Sequence, residues 1–122
     1  MNLENALSQE LKFLIVDDDA DALELVSIFL NSHYNCLIEK ATNAKEAIKL
    51  LGPDSNFDFI ISDYRMPGGS GFELLEFFST TMLKTRFVLH TSFLDEALPA
   101  HDHRFLGVIN KHDFDPLMKL IH

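Results

Sequence analysis

Five short apolar runs, each set apart by a stretch with helical spacing, leave this chain few architectures. Residues 11–16, 34–38, 57–62, 87–91 and 105–110 read as strands. Ala22, Leu23, Val26, Phe29 and Leu30 repeat at helical spacing and predict a first helix that stops near Asn31-Ser32. Ala44, Ala47, Ile48 and Leu51 predict a second, opened by Thr42 or Asn43 and closed by Gly52-Pro53. Leu74, Leu75, Phe78 and Met82 predict a third, and Phe114, Leu117, Met118 and Ile121 a last one. The connections suit only crossover helices, so the pattern predicts an α/β fold, a parallel sheet with helices on both faces. In residues 92–104 a helix could start at Phe93, Leu94, Ala97 and Leu98, but Pro99 removes a backbone donor. The fourth helix should therefore be short or irregular. Residues 1–10 form an N-terminal extension with weak helical spacing (Leu3, Ala6, Leu7, Glu10), and residues 11–122 form one domain.

Charge narrows the partners. Nineteen acids against ten bases give a net charge of -9, which disfavours direct binding to nucleic acid or to an anionic membrane, because both require a positive field. No apolar run is long enough to span a membrane, and the first residues lack the basic start and apolar stretch of a signal peptide. A lone cysteine, Cys36, forms no internal disulfide and fits a reducing, cytoplasmic setting. It reads as a small apolar residue in or near a strand.

Three acids carry the chemistry. Asp17 and Asp18 follow the first strand, and Asp63 sits where the third should end. Beyond Asp63 come Met66-Pro67, a glycine-rich turn, and Ser70-x-x-Glu73, a capping box that opens a helix. In open parallel sheets ligands bind outside the carboxyl ends of the strands. If strands one and three are central neighbours, Asp17, Asp18 and Asp63 converge, at a cost of roughly 1–4 kcal/mol per pair of like charges. Mg²⁺, which accepts one or two carboxylates, a carbonyl and waters, would relieve that cost. Thr91 ends strand four and Lys111 follows strand five, and both could reach the same crevice. A nucleophilic acid, a metal site, a hydroxyl and a lysine make up a phosphoryl-transfer constellation. Taken singly, an Asp-Asp-Asp turn is as often a solvated cap, and a lone Thr or Lys at a strand end is usually structural. His101-Asp102-His103 lacks the spacing of a metal motif and reads as a solvated loop.

Together, Leu14-Ile15-Val16-Asp17-Asp18-Asp19, Asp63-Tyr64-Arg65-Met66-Pro67-x-x-x-Gly71, Thr91-Ser92 and Lys111 resemble the receiver domain of two-component response regulators. The likeness runs from Leu11 to His122, and Asp-x-x-Met-Pro is its most specific part. It implies a flavodoxin-like (CheY-like) doubly wound sheet of five parallel strands in the order 2-1-3-4-5. It also implies that Asp63 accepts a phosphoryl group from a histidine kinase or a histidine phosphotransfer protein. Asp18 and Asp63, with Asp17 adjacent and the backbone carbonyl of Arg65, would bind Mg²⁺. Thr91 would contact a phosphoryl oxygen, Lys111 would pair with Asp63 or the phosphate, and Arg65 and Phe93 at the rim would tune hydrolysis. Such a domain is a switch, not a metabolic enzyme, catalysing only its own phosphorylation and dephosphorylation.

The chain also departs from that family. His112 stands where a cis proline usually follows the lysine, so a trans Lys111–His112 bond and a reshaped loop are expected. Val108 occupies the position of the usual switching aromatic, and Phe93 or Phe105 would have to substitute if any residue does. A second reading is therefore a static protein-binding module that keeps the fold and has lost the switch. A third, a phosphatase with an aspartyl-phosphate intermediate, fits poorly, because Asp17-Asp18-Asp19-Ala20-Asp21 lacks the expected neighbours of such a nucleophile. The sequence identifies no output partner; partner binding, homodimerisation, competition for phosphoryl groups or a further part of a longer protein would each serve.

Overall fold

A computed structural model describes residues 10–64, 71–91, 102–111 and 113–121. Five strands, β1 (Leu11–Val16), β2 (Cys36–Ala41), β3 (Phe59–Ser62), β4 (Arg86–Thr91) and β5 (Phe105–Asn110), form one sheet in the order β2-β1-β3-β4-β5. Every pairing is parallel. The helices among the described residues are α1 (Ala20–His33), α2 (Ala44–Leu50), α3 (Gly71–Ser79) and α4 (Asp115–Ile121). None of them is long and apolar enough to cross a membrane. The expected helix between β4 and β5, with Phe93 and Pro99, falls outside the described residues, as do residues 1–9 of the extension, Arg65 to Ser70, and His112.

Alternation along the strands divides the core in two. Leu14, Val16, Ile60, Phe87 and Leu89 face one side and pack with Ala44, Ala47, Leu74 and Phe78 of α2 and α3. Phe13, Ile15, Phe59, Ile61, Val88 and Ile109 face the other and pack with Leu23, Val26, Leu30, Leu117 and Ile121 of α1 and α4. β3, central and covered on both faces, is buried throughout, as a middle strand of a doubly covered parallel sheet must be. Between β4 and β5 the register runs Phe87↔Phe105 and then Val88↔Gly107, so Leu106 is an extra residue. Gly107 takes a positive φ of 133° in this bulge, a backbone conformation that glycine tolerates and other residues resist.

Three expectations need correction. β2 runs from Cys36 to Ala41, not 34–38, starting late because Tyr34 is the C-cap of α1 with its N–H bonded to Leu30 O, and ending three residues beyond Ile38. β3 begins at Phe59, two residues later than the apolar run suggested. Met82 belongs to no core stripe; it lies beyond α3 and is 97 % exposed. Cys36 is the first residue of β2, partly buried, with its Sγ 3.5 Å from Asn31 Oδ1.

Candidate functional site

The strand order makes β1 and β3 neighbours, and their carboxyl ends open into loops at one edge of the sheet. Asp17 is the first residue past β1 and Asp63 the first past β3, and their backbones are tied together by the Asp63 N–H donating to Val16 O at 2.8 Å. Parallel strands in register therefore deliver two acids to one point. Ligand oxygens of Asp17, Asp18 and Asp63 all lie within 4.8 Å of one another. Asp17 and Asp63 are buried and Asp18 is exposed, so the cluster has a closed floor and an open mouth.

Local hydrogen bonds hold Asp17 and Asp63 in place. The Asp19 N–H donates to Asp17 Oδ1 at 2.9 Å, and Asp19 in turn caps α1 by accepting from the Asp21 N–H at 2.9 Å. The Tyr64 N–H donates to Asp63 Oδ1 at 2.8 Å. Lys111 reaches in from the end of β5, anchored by its own N–H on Thr91 O at 2.9 Å. Its Nζ lies 2.6 Å from Asp17 Oδ2 and 3.1 Å from Asp63 Oδ2. Thr91 closes β4 at the same edge, one strand over from Asp63, and is buried.

Burial and one ammonium shared between two carboxylates set the protonation behaviour. Burial raises the Asp17 carboxyl above its ordinary value of 3.8, and the neighbouring Asp63 charge adds to the rise; the hydrogen bonds from Lys111 and the Asp19 N–H only partly offset it. Burial pulls the Lys111 ammonium down, but its bonds to Asp17 and Asp63 outweigh that and leave it above 10.5. The causes differ: burial sets the direction for Asp17, and the bonds to two carboxylates set it for Lys111. Paired hard oxygens with excess negative charge, open on one side to solvent, fit a hard divalent cation.

Asp17, Asp18, Asp63 and Lys111 are thus brought together as the strand-end pattern suggested, with Thr91 at the same edge. Arg65 and Phe93 fall outside the described residues, as does the Lys111–His112 peptide. Val108 on β5 is 37 % exposed, and Phe105 is partly buried with its ring 6.2 Å from that of Phe87. The sequence assigned no role to two residues beside Asp63, Ser62 and Gly71. Ser62 is fully buried and donates through Oγ to Asp63 O at 2.9 Å. Gly71 starts α3 so close to β3 that an added Cβ would stand 2.2 Å from the same oxygen. A polar residue at the inward end of an apolar strand was the available signal for Ser62; the close approach at Gly71 is visible only in three dimensions.

Comparison with known proteins agrees with this geometry. The family model for the response regulator receiver domain matches residues 13–122. The chain is 36% identical over 91 residues to the response regulator protein PilR of Pseudomonas aeruginosa, a match covering 73% of this chain and 20% of PilR. It is 39% identical over 67 residues to the transcriptional regulatory protein ResD of Bacillus subtilis, covering 55% of this chain and 27% of ResD. The chain thus spans only a minor part of these relatives. Among solved structures, the response regulator TrrA of Thermotoga maritima, in complex with Mg²⁺-BeF, is 26% identical with a TM-score of 0.77 and covers 91% of this chain and 96% of that one. A CheY-like receiver domain from Methylobacillus flagellatus, 17% identical, shares the fold with a TM-score of 0.75 and covers 93% of this chain and 100% of that one. By its sequence match, its strand order and its acidic crevice, this chain belongs to the response regulator receiver domain family of two-component signalling systems.

Proposed function

We propose that Asp63 is the phosphoacceptor of a phosphorelay and that a histidine kinase or a histidine phosphotransfer protein is the donor. The observation that carries this is the three-carboxylate cluster within 4.8 Å, with Lys111 bridging Asp17 and Asp63. A carboxylate oxygen of Asp63 attacks the phosphorus of a phosphohistidine; the new P–O bond forms as the P–N bond breaks, and the imidazole leaves and takes up a proton. Lys111, freed from charge pairing as the carboxylate becomes an acyl phosphate, turns its ammonium to the phosphoryl oxygens, and Thr91 offers its hydroxyl from the adjoining strand. Asp17 and Asp18, with Asp63 and the Arg65 carbonyl, would hold Mg²⁺, which supplies positive charge where negative charge gathers on the transferring group. Arg65 and Phe93 would set the lifetime of the acyl phosphate from the rim.

In this reading residues 11–122 are the receiver and residues 1–10 an extension. The domain catalyses no reaction but its own phosphorylation and hydrolysis, and it acts through an output partner or a second copy. The setting is the cytoplasm, where the kinase domain and its ATP are found.

Incubation with Mg²⁺ and acetyl phosphate, followed by intact-mass analysis, tests the proposal. A single added phosphoryl group that is absent in Asp63→Asn and in samples stripped of divalent ions is the expected result. No adduct and no response to beryllofluoride would mean a static binding module of the same fold. Rapid turnover of many phosphate esters without an adduct would mean a phosphatase.

A further inference from the structure

We infer that Ser62 is a positioning residue for Asp63: its buried hydroxyl fixes the peptide plane that orients the carboxylate. The inference rests on the phosphoacceptor reading of Asp63. Ser62 closes β3 opposite Val16 on one side and Leu89 on the other, and it is 0% exposed. Its surroundings belong to an apolar core, where alanine or valine would pack without a polar atom to satisfy. A hydroxyl in such a place needs a partner, and here it donates to Asp63 O at 2.9 Å.

That carbonyl is one end of a peptide unit whose other end is the Tyr64 N–H, and this N–H donates to Asp63 Oδ1 at 2.8 Å. The two groups share a rigid plane and turn together. On the α3 side there is no room for a side chain, since a Cβ on Gly71 would stand 2.2 Å from Asp63 O, and the Gly71 N–H donates to Tyr64 O at 2.7 Å. Ser62 therefore sets the plane, the plane aims the Tyr64 N–H, and the N–H holds Oδ1. Oδ2 is left facing Lys111 Nζ at 3.1 Å. Through this chain of contacts a residue that touches no substrate selects the carboxylate rotamer that faces the crevice.

The test uses the whole chain and two readouts. In the metal-free protein, the Tyr64 amide proton should resonate downfield, as expected of a bond to a carboxylate, and Ser62→Ala should shift it upfield while amides remote from β3 stay in place. With Mg²⁺ and acetyl phosphate, Ser62→Ala should be phosphorylated roughly 5- to 10-fold more slowly than wild type, the worth of about one hydrogen bond in a rate. A Ser62→Ala protein labelled at the wild-type rate overturns the inference and leaves Asp63 as phosphoacceptor. Slow labelling with an unmoved Tyr64 amide also overturns it. A wild-type protein that takes up no phosphoryl group removes the phosphoacceptor reading itself, and the positioning role with it.

Discussion

Two glycines are required here for different reasons, and substitution can tell the reasons apart. At Gly71 the constraint is space: a Cβ would meet Asp63 O at 2.2 Å, Tyr64 Cα at 2.9 Å and a Leu89 methyl at 3.0 Å. Two of those neighbours are backbone atoms that cannot swing aside. At Gly107 there is open space around the Cβ position, and the constraint is the φ of +133° in the β5 bulge. Gly71→Ala should cost about 1–3 kcal/mol through overpacking and should also disturb Asp63, so phosphorylation falls by more than the loss of stability explains. Gly107→Ala should cost about 1–3 kcal/mol through backbone strain and leave the labelling rate per folded molecule unchanged. Urea unfolding, paired with acetyl phosphate labelling at low urea, checks both; equal effects of the two variants on labelling would contradict the distinction. The same contrast shows what a sequence can carry. The convergence of Asp17, Asp18, Asp63 and Lys111 is legible because each stands at the end of an apolar run, and a parallel sheet gathers such ends at one edge. The Ser62 hydrogen bond is to the very next residue and the Gly71 approach crosses from α3 to β3, and no periodicity encodes either.

α3 shows how an element boundary can mislead and what then secures it. Leu74, Leu75, Phe78 and Met82 are spaced as a continuous stripe, yet the helix ends at Ser79. Ser79 Oγ, Thr80 Oγ1 and Thr81 Oγ1 donate back to Leu75 O, Phe77 O and Phe78 O at 2.9, 2.6 and 2.7 Å, and the N–H groups of Thr80 and Thr81 also donate three residues back. Hydroxyls that compete for helix carbonyls favour termination, so the signal was the Ser-Thr-Thr run and not the apolar spacing. β2 misleads for another reason: as an edge strand it is only partly covered, so its residues alternate where a buried strand would give an apolar run. The inner strand β1 and the edge strand β5, by contrast, fall where their apolar runs placed them. Nothing in the spacing pointed to Arg104, which joins α3 to the start of β5. Its guanidinium lies 4.1 Å over the Phe78 ring, donates to Phe78 O at 3.2 Å and to Leu83 O, and is paired with Asp102 at 2.9 and 2.5 Å. Arg104→Met should cost about 2 kcal/mol at pH 7. Hydrogen bonds from Arg104 hold the Asp102 carboxyl at about 2, against 3.8 when unperturbed. A depressed acid stabilises the fold above its unfolded value and loses that contribution as pH falls through the folded value. The gap between wild type and Arg104→Met should therefore narrow between pH 4 and pH 2 in urea titrations. A gap of constant size would mean that the ion pair contributes nothing and the packing everything.

Part of the chain's net charge of -9 is concentrated and partly buried, among the described residues, in the crevice of Asp17, Asp18 and Asp63, and that crevice should govern how stability responds to protons and to cations. Burial lifts Asp17 above 3.8 in the folded protein. A raised acid binds its proton more tightly folded than unfolded, so its effect on stability runs opposite to that of Asp102: the folded state gains as pH falls through the folded value of Asp17 and loses as pH rises through it, down to the unfolded 3.8. At pH 7 the ionised Asp17 is thus a cost that Lys111 only partly offsets. Asp17→Asn should raise the thermal midpoint of the metal-free protein by roughly 2–5 °C, about 1 kcal/mol in a domain of this length. It should also flatten the fall in stability just above pH 4. Mg²⁺ should stabilise wild type and help Asp17→Asn less, because that variant has lost both the repulsion and a ligand. For a cation that binds only the folded state the gain is RT ln(1 + [Mg²⁺]/Kd), about 2.7 kcal/mol at a hundredfold excess over Kd. Melting curves with and without MgCl₂, with CaCl₂ and NaCl as ionic-strength controls, measure each part. If NaCl at matched ionic strength raises the midpoint as much as MgCl₂, general screening accounts for the effect and the crevice holds no cation. If Asp17→Asn melts below wild type without metal, the pairing of Asp17 with Lys111 outweighs its burial, and the crevice is a structural ion-pair network and not a site awaiting charge.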